Sequence, residues 1–192
     1  RFSDIARRRH QYLERHYEEQ IQDKEMDHFS LCRLNIPSGC LPADAISVEL
    51  DAASFTAETL QKLQEMPSLE RLLLNGVVTN SDEDMTLLRD YFLGLPRLKH
   101  LEICACGLLS LPAEIASLVH LEKLFLWGNQ LSALPDGLAE LSKLKHLSIS
   151  SSLLDIPDWI WSSSIKKLHH KGHLLSKEVK NRAKKAKIVI KT

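Results

Sequence analysis

Leu98-Lys99-His100-Leu101-Glu102-Ile103, Leu121-Glu122-Lys123-Leu124-Phe125-Leu126 and Leu144-Lys145-His146-Leu147-Ser148-Ile149 repeat one phrase, LxxLxL, at a spacing of 23 residues. Behind the first two stands a Leu-Pro pair, Leu111-Pro112 and Leu134-Pro135, each with an apolar residue three positions after the proline. A fixed period of this length marks a solenoid, whose units cannot bury their apolar face alone and stack to do so. Because a strand alternates its faces, the fourth and sixth residues of the phrase turn together into the core. The third, fifth and seventh turn the other way. Each leucine buried by the stacking contributes about 1.5–3 kcal/mol.

Working outward, Leu69-Glu-Arg-Leu72-Leu-Leu74 is a clear earlier copy, 29 residues before Leu98. Its insert, Ser81-Asp-Glu-Asp84 before Met85, Leu87, Leu88, Tyr91 and Phe92, predicts a helix with an acidic first turn and an exit at Gly94. A calcium loop is the other reading of those acids, but EF-hand spacing is missing. Upstream, Thr56 to Glu65 predicts a helix with Leu60 and Leu63 inward, and Ile46 with Val48 sketches a strand. Leu31, Leu34 and Ile36 sketch another, ended at Pro37-Ser-Gly39. Downstream comes a repeat of 21 residues carrying Asp158-Trp159-Ile160-Trp161, and Ile165-Lys-Lys-Leu168 restarts the strand. Ser176 then caps a helix with Val179, Ala183 and Ala186 inward, and Ile188-Val-Ile190 closes the sheet. The expected organisation is a capping or linker helix over 1–28 and a repeat domain over 29–192. Within it the clear repeats run over 69–164 and a C-terminal cap over 165–192.

Composition narrows the function classes. The chain has 192 residues, 44% of them hydrophobic, and its 25 basic and 25 acidic residues cancel. No net field therefore draws it to nucleic acid or membrane. No apolar run approaches the length of a membrane span, and no secretory signal opens the chain. Cys32, Cys40, Cys104 and Cys106 do not form paired flanking clusters, and residues two apart suit a disulfide badly. They read as free thiols of a reducing compartment, so a cytoplasmic location is expected. The chain begins at Arg1 rather than Met, which fits a piece of a longer protein.

The phrase resembles that of the leucine-rich-repeat family, most closely its 23-residue class with an LPxxIxxL second half. Bacterial proteins and intracellular scaffolds of the Ras-suppressor and Scribble-like kind use that class. The resemblance is specific from about Leu69 to Ile160. It implies an α/β solenoid with a curved parallel sheet on the concave face, helices or irregular turns on the convex face, and a helical N-terminal cap. It also implies a protein-binding, non-catalytic role. Family members carry Asn at the ninth position, where the amide bonds to adjoining loops. Here Asn129 fits, whereas Val77, Cys106, Ser152 and His173 stand at the other ninth positions.

The columns turned from the core give the candidate site. The third-position column is Arg71, His100, Lys123, His146 and Lys167; the fifth is Leu73, Glu102, Phe125, Ser148 and His169; the seventh is Asn75, Cys104, Trp127, Ser150 and Lys171. Phe125 and Trp127 are expected as adjacent solvent-facing anchors, with Leu73 beside them and the basic column around. The competing reading is that another segment folds over the rings. His100 and His146 are expected to add charge at pH 6. The expected partner-binding set is Phe125, Trp127, Leu73, Arg71, His100, Glu102, Lys123, His146 and Lys167, and the expected partner is a protein bound by a monomer.

Two alternatives stand beside it: a substrate-recruiting or regulatory domain of a larger enzyme or effector, and an anionic surface or nucleic acid bound through the basic column and the Lys-rich C-terminus. Trp159 and Trp161 are a weak second site, more often fillers of a short repeat. No phosphate-cradling glycine loop, nucleophile elbow or HExxH is present. His169, His170 and His173 match no zinc spacing. No enzyme activity, cofactor, metal or small-molecule substrate is expected.

Overall fold

The computed structural model describes residues 45–50, 55–76, 80–149, 156–170 and 175–191. The expected helix over 1–28 and the strand from Leu31 lie outside them, as do Val77, Ser150, Ser152, Lys171 and His173. The described residues build one parallel sheet of seven strands in sequence order: β1 (Ser47–Leu50), β2 (Arg71–Asn75), β3 (His100–Cys104), β4 (Lys123–Phe125), β5 (His146–Ile149), β6 (Lys167–His170) and β7 (Val189–Lys191). Parallel neighbours need a crossover between them, and here each crossover is the second half of a repeat.

The crossovers are helical at both ends of the sheet and shorter in between. Helix α1 (Ala57–Gln64) returns from β1, and its cap Thr56 accepts from the Thr59 amide at 3.1 Å. Leu60 and Leu63 face the core. Helix α2 (Asp82–Gly94) is the insert after β2; Ser81 accepts from the Asp84 amide, and Leu88, Tyr91 and Phe92 are buried. The Tyr91 hydroxyl donates to the Thr56 carbonyl at 3.0 Å, which ties α2 to the start of α1. Where the Leu-Pro phrase appears, a single 3-10 turn suffices, at Ala113–Ser117, Asp136–Glu140 and, after Pro157, Asp158–Ser162. The prolines fit because their fixed φ starts such a turn. Helix α3 (Lys177–Ala186), capped by Ser176, leads into β7.

Position four forms one buried row through Leu72, Leu101, Leu124, Leu147 and Leu168, all in lateral register. Leu74 and Ile103 form the start of the second row. At the first strand the expectation shifts: Val48 and Leu50 are buried, whereas Ile46 precedes the strand and is exposed. At β6 a histidine, His170, takes the sixth-position core place beside Ile149.

One backbone feature recurs at position eight. Gly76, Ala105 and Gly128 have φ of 68°, 54° and 74°, the left-handed region that turns each chain out of its strand. Glycine reaches that region without strain, whereas Ala105 carries a Cβ into it. A Cβ on Gly128 would lie 3.0 Å from Ala105 Cα and N, so the two turns nest closely.

Candidate partner-binding face

The register aligns the columns read from the sequence. Arg71, His100, Lys123, His146 and Lys167 pair laterally, as do Leu73, Glu102, Phe125, Ser148 and His169. Trp127 lies two residues beyond Phe125, and its carbonyl accepts from the Ala105 amide at 3.0 Å.

Exposure along these columns corrects the expectation of a uniformly wet face. Leu73 is 0% exposed and Trp127 7%, and His100, Glu102, Cys104 and Ser148 are also buried. Adjacent strands stand about 4.8 Å apart, so large side chains in register shield one another. Leu73 lies between Glu49 and Glu102, and the His100 and Phe125 ring centroids are 5.1 Å apart. Leu73, His100, Glu102 and Trp127 therefore do not offer themselves as a free binding surface, and Phe125 with Trp127 is not an exposed pair. Half-exposed on this face are Arg71, Lys123, Phe125, His146, Lys167 and His169. The expected face thus contracts to one aromatic ring among basic side chains, with the half-exposed pair Asn75 and Glu49 at its β1 end.

Under that strip lies a polar pair. His100 Nε2 is 2.8 Å from Glu102 Oε1. The two atoms are in contact without the alignment of a hydrogen bond, and Nδ1 also lacks a hydrogen-bond partner among the described residues. Burial drives the His100 pKa below its ordinary value; Glu102 pulls it up, and Arg71 and Lys123 push it down further. His100 is therefore harder to charge than a solvated histidine, which runs against the expectation that it adds charge to the basic column near pH 6. The cause is desolvation, which penalises the imidazolium.

The thiols are structural. Cys104 and Cys106 are free. Burial, followed by the Glu102 and Cys106 charges, pushes the Cys104 pKa up, and its Sγ lies 3.6 Å from the Phe125 carbonyl. Such a thiol is a poor nucleophile. At the ninth position, the Asn129 amide donates to the Ile103 carbonyl at 2.7 Å and to Leu126 at 2.9 Å. Its Oδ1 accepts from the Cys106 and Leu108 amides at 3.2 Å. One repeat earlier, Cys106 Sγ reaches the Leu74 carbonyl at 3.6 Å, the counterpart of the bond to Ile103. Cysteine thus retains one link of the pattern and loses the rest.

Trp159 and Trp161, expected as a weak second site, pack against the core. The Arg182 guanidinium lies 5.3 Å from the Trp161 ring and 2.6 Å from Asp158, so α3 docks on this turn. Asn80 escaped sequence reading: its Nδ2 donates to the Gly107 carbonyl and its Oδ1 accepts from the Leu109 amide. An asparagine in an insert carries no periodic signal, so only the fold shows what it bridges. No group of three His, Cys, Asp or Glu suited to a metal occurs among the described residues. Among the same residues no helix is long and apolar enough to cross a membrane.

Residues 96–154 match a family model described as Leucine rich repeat. Over these residues the parallel strands and short returns have the architecture of an α/β leucine-rich-repeat solenoid, and the same sheet continues through the other described strands. A comparison with curated proteins gives no match. Among solved structures the chain is similar to one described as "Crystal structure of TLR13-ssRNA13 complex", at 20% identity and a TM-score of 0.44. That similarity covers 65% of this chain and 22% of the other.

Proposed function

We propose that this chain is a non-catalytic interaction module that binds a protein partner on the concave face of its sheet. The supporting observation is the strip left half-exposed on that face: Phe125, with Lys123, His146 and Lys167 in the adjoining register. One aromatic ring in a cationic frame has the composition of an interface centre, where a few anchors carry most of the affinity. The 23-residue spacing of the phrase resembles the LPxxIxxL class used by intracellular scaffolds, and a cytoplasmic setting is part of this proposal. As part of a longer protein, the same face would recruit a substrate for a neighbouring domain, and the parent sequence decides between these roles.

The test is affinity capture with the wild-type chain and a Phe125→Ala, Lys123→Glu variant, after nuclease treatment. A discrete protein retained by the wild type and lost from the variant, then re-bound as a purified component, supports the reading. Equal retention by both chains, or retention of nucleic acid alone without nuclease, overturns it.

A further inference from the structure

The rim where the strands begin changes its charge pattern halfway along the sheet. In the first half it neutralises itself: Lys99 is ion-paired with Glu70, and Glu122, next along the rim, also attracts its ammonium. From β5 onward the balance is lost. Lys143 and Lys145 precede β5, Lys166 precedes β6 and Lys187 precedes β7, all exposed. The stretches 142–146, 163–167 and 186–190 contain no carboxylate. Glu122, beside Lys145 through the Lys145 amide that donates to its carbonyl at 2.9 Å, and Glu140, three residues before Lys143, make no ion pair with these lysines among the described residues. Lys143 Nζ instead donates to His120 Nδ1 at 2.8 Å, a neutral partner that leaves the lysine charge uncompensated. The Lys166 amide donates to the Lys145 carbonyl at 2.8 Å, so two like charges leave adjacent backbone positions. Like charges set side by side across strands are destabilising, and a bound anion relieves them.

We infer that this rim, centred on Lys143, Lys145 and Lys166, is a docking site for an acidic peptide segment of a partner protein. It lies outside the strip of Phe125 and its neighbours and stands independently of the function proposed for that face. Size argues for a peptide. From β5 to β7 the rim spans about 10 Å, which an extended peptide covers in about three residues. Nucleic-acid affinity grows with the number of phosphates neutralised, which is small on a rim of this length, and the zero net charge supplies no wider field to assist it.

The experiment titrates a fluorescein-labelled octaglutamate peptide into the whole chain at low salt, followed by anisotropy. Lys143→Glu, Lys145→Glu and Lys166→Glu are combined in one variant. Lys177→Glu, Lys180→Glu and Lys184→Glu on α3, equally exposed, make a control with the same net charge. Glutamine at the three rim positions gives a milder variant if the reversal lowers the melting temperature. The rim variants are expected to weaken peptide binding at least about tenfold, with the α3 variant close to wild type. Equal losses in rim and α3 variants, or no saturable binding to the wild type, overturn the site. A single-stranded oligonucleotide of equal charge that binds more tightly through the same lysines overturns the choice of a peptide.

Discussion

Asn129 bonds to Ile103, Leu126, Cys106 and Leu108, so one side chain satisfies two carbonyls and two amides inside the protein. Asn129→Ala removes one partner from each of these groups, and a buried polar group that loses its bond costs about 1–3 kcal/mol before relaxation. A loss of about 3 kcal/mol in urea denaturation is expected, and a loss below about 0.5 kcal/mol would contradict the bonding described. The neighbouring Ala105 invites the opposite change. Its φ of 54° is a conformation glycine adopts freely, so Ala105→Gly should raise stability by about 0.5–1 kcal/mol. His100 sets a pH dependence. Its folded pKa lies below the ordinary 6.5, so the unfolded chain takes up the proton first as pH falls. The contribution is therefore fully present above pH 6.5 and declines as pH drops toward the folded value. Denaturation midpoints at pH 7.5 and 5.5 should differ less for His100→Gln than for wild type.

At the scale of elements, the returning halves of the repeats decide how firmly the ends are held. Helix α3 rests on the turn Asp158–Ser162 through Trp161, Arg182 and Asp158. The ion pair is largely exposed and contributes little by itself. The apolar contact of the ring is the stronger part, so Trp161→Ala should destabilise by about 2 kcal/mol or more, whereas Asp158→Ala should change little. Hydrogen exchange of the α3 and β7 amides separates the two. Unchanged exchange in Trp161→Ala would remove the tryptophan from this role.

For the molecule as a whole, the row Leu72, Leu101, Leu124, Leu147 and Leu168 is continuous, and Leu124→Ala at its middle should cost about 2–5 kcal/mol. Trp127→Ala should likewise cost several kcal/mol, as buried aromatics do, while Phe125→Ala should cost less than its neighbour and act on partner binding. Thermal melts of the two single variants read this directly; equal losses would place both rings in the same environment. The strand register was legible in the sequence because LxxLxL fixes pleat and period together, and the caps Thr56, Ser81 and Ser176 follow from local chemistry. What the columns could not show was shielding. A pleat tells which way Leu73, His100 and Trp127 point, but exposure depends on what stands in adjacent register, which is set by three-dimensional spacing. The left-handed positions were hidden because one is alanine, and Asn80 because its partners lie 27 and 29 residues away.

The four bonds of Asn129 also have a mechanical meaning. In a linear array each strand holds only its neighbours, so a load on one end peels units in succession, as a zip opens. Asn129 sews the seam between β3 and β4 with bonds that leave its own repeat, while the cysteine at the previous seam supplies a single weaker stitch of that kind. Pulled from its C-terminal end, the array should run open through β7, β6 and β5 and stall at the sewn seam. A force trace would then show a pause with β4 still in place, and Asn129→Ala would erase it.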